Sequence, residues 1–254
     1  MFIDTHAHYD DEAFDIDREE VLKKVHDGGT ECIINAAQDY KTSLTCVEMA
    51  EKYPFMYAAV GVHPHEAEKA SLKDLELIEE LAKHEKVVAI GEAGLDYHYN
   101  FSSEQEQKRI FAANIEISKR VGKPIVVHDR EAHSDVLDMM RDADIKPGGA
   151  VVHCFSGSAE MAKIVASKGW FFSVGGAVTF KNARRIIEAL AVIPDELLML
   201  ETDCPYMTPV PFRGRRNDSS YIEYTARKIA EIKGISYEML CEMTNANARN
   251  FFAI

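Results

Sequence analysis

Short apolar runs alternate along the chain with longer segments in which apolar residues recur at helical spacing. Runs of five to eight residues that are apolar throughout, or apolar at every second position, are typical of buried strands. The sequence contains eight such runs, at 2–6, 31–37, 56–62, 87–94, 124–129, 149–155, 170–176 and 197–203. Between and after these runs, apolar residues at helical spacing predict helices at 16–26, 42–52, 72–83, 104–121, 133–143, 159–168, 183–192, 219–233 and 236–248.

This alternation predicts the fold class. Strands separated by helices of this length pair in parallel through right-handed crossovers. Eight such units favour a closed α/β architecture, the (β/α)8 TIM barrel, over an open doubly wound sheet. No GxGxxG motif follows the first strand, so a dinucleotide-binding fold has no support. Because no linker-like segment interrupts the pattern, we expect a single domain over residues 1–254.

The first predicted strand has an unusual pattern for a buried element. Because side chains alternate along a strand, residues 2–8 place Asp4, His6 and His8 on one face and Ile3, Thr5 and Ala7 on the other. A buried polar group costs free energy unless something pairs with it. The face with the aspartate and the two histidines therefore meets either water or a metal ion.

Composition narrows the classes of protein to consider. The chain has 254 residues, 46% of them hydrophobic, and no apolar run long enough to span a membrane. Its five cysteines are widely spaced and form no CxxC pair, which argues against both a disulfide framework and a cysteine zinc site. No charged segment followed by an apolar run opens the sequence, so we expect no secretion signal and a reducing, cytoplasmic setting. A monomer without an obligate protein partner is the default expectation.

The formal net charge of −13 bears on the class of ligand. A protein that coats nucleic acid non-specifically usually has a basic surface, which this chain lacks. A nuclease stays possible, because bound metals and a local basic patch can hold phosphate inside an acidic protein.

Metal-binding residue types gather where the predicted strands end. In a (β/α)8 barrel the active site lies at the carboxyl ends of the strands. The side chains expected there are His6, His8, His63, His65, Glu92, Asp96, His128, His153, Glu201 and Asp203. Scattered surface charges would not follow this rule, so the set predicts a metal site.

The donor types indicate two divalent ions. Imidazole and carboxylate together suit Zn²⁺ or Mn²⁺, whereas carboxylate and water suit Mg²⁺. His6 and His8 can chelate one ion, and Glu92 can bridge two ions through its two oxygens. His128 and His153 would hold the second ion. Asp203 can ligate one ion and accept a proton from a water, as in sites whose ions lie about 3.5–4 Å apart. The identity of the metal, Mg, Mn or Zn, stays open.

Several motifs carry a resemblance to a known family. In chain order they are FIDTHAH (2–8), GVHPHEAE (61–68), AIGEAGLDYH (89–98), QKRIF (107–111), KPIVVHDREA (123–132), VVHCFSGS (151–158), LETDCPYMTP (200–209), PFRGRRN (211–217) and TNANARNFF (244–252). HxH alone is shared by many hydrolases, whereas GEAGLDY, HCFSG and ETDCPY in this order are specific. The sequence resembles the TatD family of metal-dependent deoxyribonucleases, a branch of the amidohydrolase-like barrels.

The resemblance implies a ligand set and an activity. It assigns one metal to His6, His8, Glu92 and Asp203, and a second to Glu92, His128 and His153, with Glu92 and Asp203 as the catalytic pair. It further implies hydrolysis of DNA phosphodiester bonds from a 3′ end, on single-stranded DNA or 3′ ends. Action at abasic sites, as in some members, and a part in DNA repair or degradation would follow.

Further residues would hold substrate or support the ligands. His63, His65, Asp96, Arg130 and Arg213 are candidate contacts to phosphate or its bound water. An arginine binds phosphate in a fork, although charged loops are often only solvated. Glu201 and Asp4 share a face with the proposed ligands and are expected to orient them. In the loop after strand four, Tyr97, Tyr99 and Phe101 offer faces on which a base can stack.

Two other functions fit the same fold. An amide, ester or lactone hydrolase would direct the same activated water at a carbonyl carbon, and a D-aminoacyl-tRNA deacylase belongs to this class. Many relatives with that chemistry bridge their metals with a modified lysine, whereas this chain offers Glu92, which favours the nuclease branch. A non-catalytic scaffold is disfavoured, because unpaired buried carboxylates and histidines would destabilise it without a metal.

Overall fold

The computed structural model describes residues 1–146 and 148–254 and confirms the predicted barrel. Its eight strands pair in parallel in chain order from β1 to β8. They are β1 Phe2–Ala7, β2 Thr30–Ala36, β3 Met56–Val60, β4 Val87–Asp96, β5 Ile125–Arg130, β6 Ala150–Val152, β7 Phe171–Val174 and β8 Leu198–Leu200. A parallel bridge between Ala7 and Cys204 brings the last strand back to the first.

Helices follow the strands and cover the barrel. They are α1 Arg18–Asp27, α2 Tyr40–Lys52, α3 Leu72–Leu81, α4 Glu104–Val121, α5 His133–Asp142, α6 Ala159–Ser167, α7 Arg184–Leu190, α8 Ile222–Lys233 and α9 Tyr237–Phe252. Polar residues fix several of their starts. Ser71 and Asp74 form a capping box on α3, and Asp39 and Thr42 form another on α2.

The barrel interior is a separate apolar cluster that α9 closes from below. One residue or more from each strand contributes, among them Ile34, Ala59, Val126, Val151 and Met199. Ala248, Phe251 and Phe252 of α9 join this cluster, which explains why the helix continues to Phe252 instead of ending at 248 as predicted. The opposite end of the barrel is left for polar side chains.

Four strands, β3, β6, β7 and β8, are shorter than the sequence predicted, and the difference is largest for β6 and β8. Strand six spans Ala150–Val152 rather than 149–155, and strand eight spans Leu198–Leu200 rather than 197–203. Cys154 and Asp203 adopt left-handed backbone angles, with φ of 44° and 56°, which ends the extended conformation. Glu201 and Asp203 therefore belong to the loop after β8, where a side chain can turn into the barrel mouth.

The alternation predicted for the first strand is interrupted. The pairing of β1 with β2 shifts register between Asp4 and Ala7. Ile3 consequently packs inside the barrel, whereas Ala7 packs outside it. The two faces predicted for residues 2–8 are not continuous, because a strand with such an irregularity changes the side to which later residues point.

Across residues 1–146 and 148–254, none of the helices combines the length and apolar character that a membrane span needs. All five cysteines are free thiols.

Candidate metal centre

Side chains of the metal centre continue the inward-facing side of their strands. Val126, Val151 and Met199 point into the barrel, so the residues two further along each chain segment, His128, His153 and Glu201, also face inward. Gly94 lets β4 lie close against β5, because a side chain there would meet the carbonyl oxygen of His128 at 2.0 Å. Its φ of 156° also favours glycine. This close approach brings Glu92 beside His128.

One donor set forms around the end of β1. The Nε2 atoms of His6 and His8 lie 3.1 Å apart. Glu92 Oε2 is 3.2 Å from His6 Nε2 and 3.5 Å from His8 Nε2. Asp203 Oδ1 is 3.8 Å from His6 Nε2 and 3.4 Å from His8 Nε2. The ligand atoms of His6, His8 and Asp203 all lie within 4.8 Å of one another, and Glu92 Oε2 contacts both imidazoles, as the prediction for the first metal requires.

A second donor set uses the other oxygen of Glu92. Its Oε1 lies 2.5 Å from His128 Nδ1 and 2.6 Å from His153 Nε2. The two imidazole nitrogens are 3.3 Å apart. Glu92 thus presents one oxygen to each set, which is the arrangement that a bridging carboxylate requires.

His63 lies beside the second donor set. Its Nε2 is 3.4 Å from both Glu92 Oε1 and His128 Nδ1, and its side chain is buried. In the sequence, His63 is counted among the metal-binding residue types at the strand ends and is also proposed as a phosphate contact. The structure places its imidazole among the donors of the second set.

The residues fit divalent metal ions. A tetrahedral site with bonds of about 2.1 Å has ligand atoms about 3.4 Å apart, and the first donor set has this spacing. The ring nitrogens Nδ1 of His6 and of His153 are buried without a hydrogen-bond partner among the described residues. Such a dense buried cluster of imidazoles and carboxylates is costly unless cations balance it.

The charges of the cluster depend on one another. Burial disfavours ionisation of Glu92, but the imidazoles around it hold the pKa of its carboxyl well below the usual range. Burial also disfavours protonation of His8, yet the nearby carboxylates of Asp203 and Glu92 raise its pKa to about 9. His63 differs, because burial dominates and lowers its pKa to about 4. The Glu92 carboxylate is thus ionised at neutral pH and can bind a cation.

Asp96 and His65 form a support behind His128. Asp96 Oδ2 is 2.8 Å from His65 Nε2 and 3.2 Å from His128 Nε2. Its Oδ1 accepts hydrogen bonds from the backbone N–H groups of His98 and Tyr99. The carboxylate is fully buried, so it fixes the orientation of His128 and holds no free oxygen toward phosphate.

Glu201 lies beside His153, on the other side of the centre. Its Oε1 accepts a hydrogen bond of 2.7 Å from the Cys154 N–H, and Ser173 Oγ donates to its Oε2. That Oε2 lies 3.6 Å from His153 Nδ1. This separation is longer than a hydrogen bond, so the Glu201 carboxylate lies beside the ring without bonding to it. The supporting role of Glu201 stays a prediction.

Asp4 ties the first strand to the segment after the last. Its carboxylate accepts hydrogen bonds from the Thr202 N–H at 2.9 Å and from the hydroxyls of Thr202 and Ser219, both at 2.6 Å. A longer contact of 3.4 Å reaches the His6 N–H. Burial raises its pKa to about 6 despite these donors. Asp4 therefore positions His6 through the backbone.

Some groups that support the proposed ligands could not be identified from the sequence. The Ala36 carbonyl oxygen lies 2.8 Å from His8 Nδ1 and fixes the ring so that Nε2 faces the centre. Ser173 and Ser219 hold the carboxylates of Glu201 and Asp4. Backbone carbonyls and isolated serines have no distinctive spacing, so only the fold reveals them.

Two arginines that are proposed from the sequence as phosphate contacts lie exposed. Neither has a carboxylate partner in the part of the chain that the structure describes. The Arg130 guanidinium is 4.5 Å from the centre of the Tyr99 ring, and that of Arg213 is 4.1 Å from the centre of the Phe180 ring. Arg216, in the same basic cluster as Arg213, instead forms a 2.7 Å ion pair with Asp17. Arg130 and Arg213 therefore remain candidates to contact phosphate.

Comparisons with known proteins show the family of this chain. A profile of the family described as "TatD related DNase" matches residues 3–253. The "uncharacterized metal-dependent hydrolase YabD" of Bacillus subtilis is 43% identical over 254 residues, covering 100% of both chains. The "3'-5' ssDNA/RNA exonuclease TatD" of Salmonella typhimurium is 34% identical over 244 residues, covering 94% of each.

A solved structure has the same architecture. The crystal structure of YJJV, a TatD homolog from Escherichia coli K12, superposes with a TM-score of 0.94 at 30% identity. The match covers 100% of this chain and 98% of that one.

Proposed function

Since this chain belongs to the TatD-related DNase family of metal-dependent hydrolases, we propose that it removes nucleotides from the 3′ end of single-stranded DNA. The observation that carries the proposal is the bridging position of Glu92 between two donor sets. A two-metal site suits an in-line displacement at phosphorus, where both the attacking and the leaving oxygen need stabilisation. The relative named as a 3'-5' ssDNA/RNA exonuclease supports the class of substrate.

The proposed roles follow from the donor sets. His6, His8, Glu92 and Asp203 would hold one ion, and Glu92, His128 and His153 the other, with His63 at the edge of the second set. Such a pair of divalent ions lowers the pKa of a bound water and neutralises charge on the phosphate. Mg²⁺, Mn²⁺ and Zn²⁺ are the candidates, and the imidazole-rich donor set suits Mn²⁺ or Zn²⁺.

Asp203 is the proposed general base. Its side chain is 16% accessible, compared with 4% for Glu92 and 0% for Glu201, so it is the carboxylate of the centre that solvent reaches. Burial opposes its ionisation, but hydrogen bonding to His8 and the nearby imidazoles keep its pKa below the usual value. In the proposed step a water oxygen bonds to phosphorus, Asp203 accepts the water's proton, and the bond from phosphorus to O3′ breaks.

Arg130 and Arg213 would hold the substrate phosphates. Each is an exposed cation resting on an aromatic ring, without a carboxylate partner among residues 1–146 and 148–254. In a protein with a net charge of −13 they provide local positive charge for a polyanion. His65 and Asp96 would act indirectly, by holding His128.

The test is hydrolysis of labelled oligonucleotides by protein that has been stripped of metal and then refilled with one ion. A 5′-labelled single strand should shorten stepwise, whereas a 3′-labelled strand should release labelled mononucleotide at once. Asp203→Asn should lower the rate by at least about 100-fold. Asp142→Asn, at the exposed end of α5, is the matched control and should leave the rate unchanged.

The same assay distinguishes the nuclease from the alternative, a hydrolase that acts on a carbonyl carbon. If no ion supports cleavage of any oligonucleotide although metal is bound, the nuclease proposal fails. The same preparations should then be assayed with lactones, amides and D-aminoacyl-tRNA.

A further inference from the structure

Two aromatic side chains lie exposed at the barrel mouth, beside the metal centre. Tyr99 and Phe101 follow β4 and are 48% and 67% exposed. Their rings are parallel within 4°, with centroids 5.4 Å apart. The Phe101 ring centroid is 4.9 Å from that of His65, which is 6.2 Å from that of His128. A single imidazole therefore separates this aromatic pair from a proposed metal ligand.

The loop that carries the pair is held in place by hydrogen bonds. The Tyr99 N–H donates to Asp96 Oδ1 at 2.9 Å. Ser102 Oγ donates to the carbonyl of His65 at 3.0 Å, and Gln107 Nε2 donates to the carbonyl of Ser102 at 2.9 Å. Asn100 takes a left-handed conformation with φ of 52°, which asparagine adopts more readily than most residues. The exposed rings are therefore preorganised.

A third aromatic residue of the loop has a different environment. The Tyr97 hydroxyl donates a 2.6 Å hydrogen bond to Asp135, and its ring packs against the core between barrel and helices. Of the three rings that the sequence offered for base stacking, only Tyr99 and Phe101 are free for a ligand. Phe101 is the more exposed, since the Arg130 guanidinium covers part of Tyr99.

We propose that Phe101, backed by Tyr99, is a stacking platform for an unpaired nucleobase of the strand that is being hydrolysed. The inference rests on the proposed nuclease function and adds the subsite that recognises the base. An aromatic face accepts any base, so the platform would favour unpaired ends without reading sequence. Arg130 stands beside the platform as a cation for the neighbouring phosphate. An apolar face next to an unpaired cation matches a nucleotide, which combines a flat base with an anion.

The test combines a protein change with a substrate change. Single-stranded DNA and RNA oligonucleotides are prepared with one base removed, in turn, at each of the last three positions from the 3′ end. For the wild type, removing the base that stacks should raise KM roughly 5- to 150-fold, the range expected for one stacked base. In Phe101→Ala the ratio of KM with and without that base should fall toward one, and Phe101→Trp should restore it.

A direct readout of stacking complements the kinetics. An oligonucleotide with 2-aminopurine at the same position should lose fluorescence when it binds the Asp203→Asn protein, and lose much less when Phe101→Ala is added. Met239→Ala is the control, because it removes an exposed apolar side chain from α9, at the far end of the barrel. It should behave as the wild type in both measurements.

The possible outcomes separate the two proposals. If the wild type hydrolyses oligonucleotides but Phe101→Ala keeps the full dependence of KM on the base, the platform is wrong and the nuclease stands. If the wild type hydrolyses no oligonucleotide, both proposals fail.

Discussion

Glu92 is the single residue on which the two-metal interpretation depends. Its carboxylate faces His6 and His8 with one oxygen and His128 and His153 with the other. Other ligands contribute to one donor set each. The function of this residue can therefore be tested by the number of ions that the protein holds.

We predict that Glu92→Gln loses at least one bound ion and at least about 100-fold in hydrolysis rate. Glutamine keeps the shape of the side chain, but its amide nitrogen cannot ligate a cation. Residues that only support a ligand already cost about 10–100-fold when they are changed, so a bridging ligand should cost more. Elemental analysis of the dialysed protein gives the metal content, and the oligonucleotide assay gives the rate.

Glu116→Gln, on the exposed surface of α4, is the matched control and should keep both the metal content and the rate. A Glu92→Gln protein that retained two ions per chain would show that the carboxylate does not bridge them.

The sequence indicates where the residues of the centre lie more completely than it indicates what their neighbours contact. The residues predicted as metal ligands do converge, because the carboxyl ends of parallel strands meet at one end of a barrel. His65 and Asp96 were expected near phosphate, and the structure pairs them with each other and with His128. Strand position fixes where a residue lies, but the pairing of side chains in the loops depends on contacts that spacing does not reveal.

At the scale of secondary-structure elements, the junction between β1 and β8 holds the site together. The Thr5 hydroxyl donates to the carbonyl of Leu200 at 2.9 Å, and the Asp203 N–H donates to the carbonyl of His6 at 2.9 Å. The carboxylate of Asp4 accepts from Thr202 and Ser219 across the same junction. His6 and Asp203, which share the first donor set, are thus fixed relative to each other by the closure of the barrel.

We predict that Thr202→Val lowers the free energy of unfolding by about 2 kcal/mol. Valine matches threonine in shape but lacks the hydroxyl that donates to the buried carboxylate of Asp4, and a hydrogen bond to a charged group contributes about 1.5–3 kcal/mol. Urea denaturation at pH 7 measures the change.

The matched control is Thr45→Val, because the Thr45 hydroxyl donates only to the carbonyl of Lys41 within α2. Its effect should stay below about 0.5 kcal/mol. Equal effects in the two variants would mean that the hydrogen bonds to Asp4 contribute nothing specific to the junction between β1 and β8.

The same junction shows what element prediction missed. The apolar runs identified all eight strands, yet β6 and β8 keep only three residues each. A run of suitable residues at 149–155 or 197–203 does not disclose that Cys154 and Asp203 take left-handed angles. Both residues lie in the segments that follow a strand at the barrel mouth, where a positive φ turns the backbone away from the extended conformation.

At the scale of the whole molecule, the metal centre concentrates charge in an otherwise apolar barrel. Apolar residues fill the interior below it, and α9 closes the far end. The imidazoles and carboxylates at the mouth therefore have two requirements. Their charges must be paired, and the partners cannot be water, because most of these side chains are buried. Bound divalent ions meet both, so metal binding should contribute to the stability of the entire fold.

We predict that chelation lowers Tm by roughly 5–10 °C relative to protein in Mn²⁺ or Zn²⁺ at 100 times the dissociation constant. Ligation at that concentration stabilises the folded state by about 2.7 kcal/mol, and 1 kcal/mol shifts Tm by about 2–4 °C for a chain of this length. Ca²⁺ should shift Tm by less than about 2 °C, because it prefers six to eight oxygen ligands. Thermal scans with each ion, repeated for Glu92→Gln, check this. A shift that is equal in both proteins would show that the stabilisation by metal does not depend on the bridging carboxylate of Glu92.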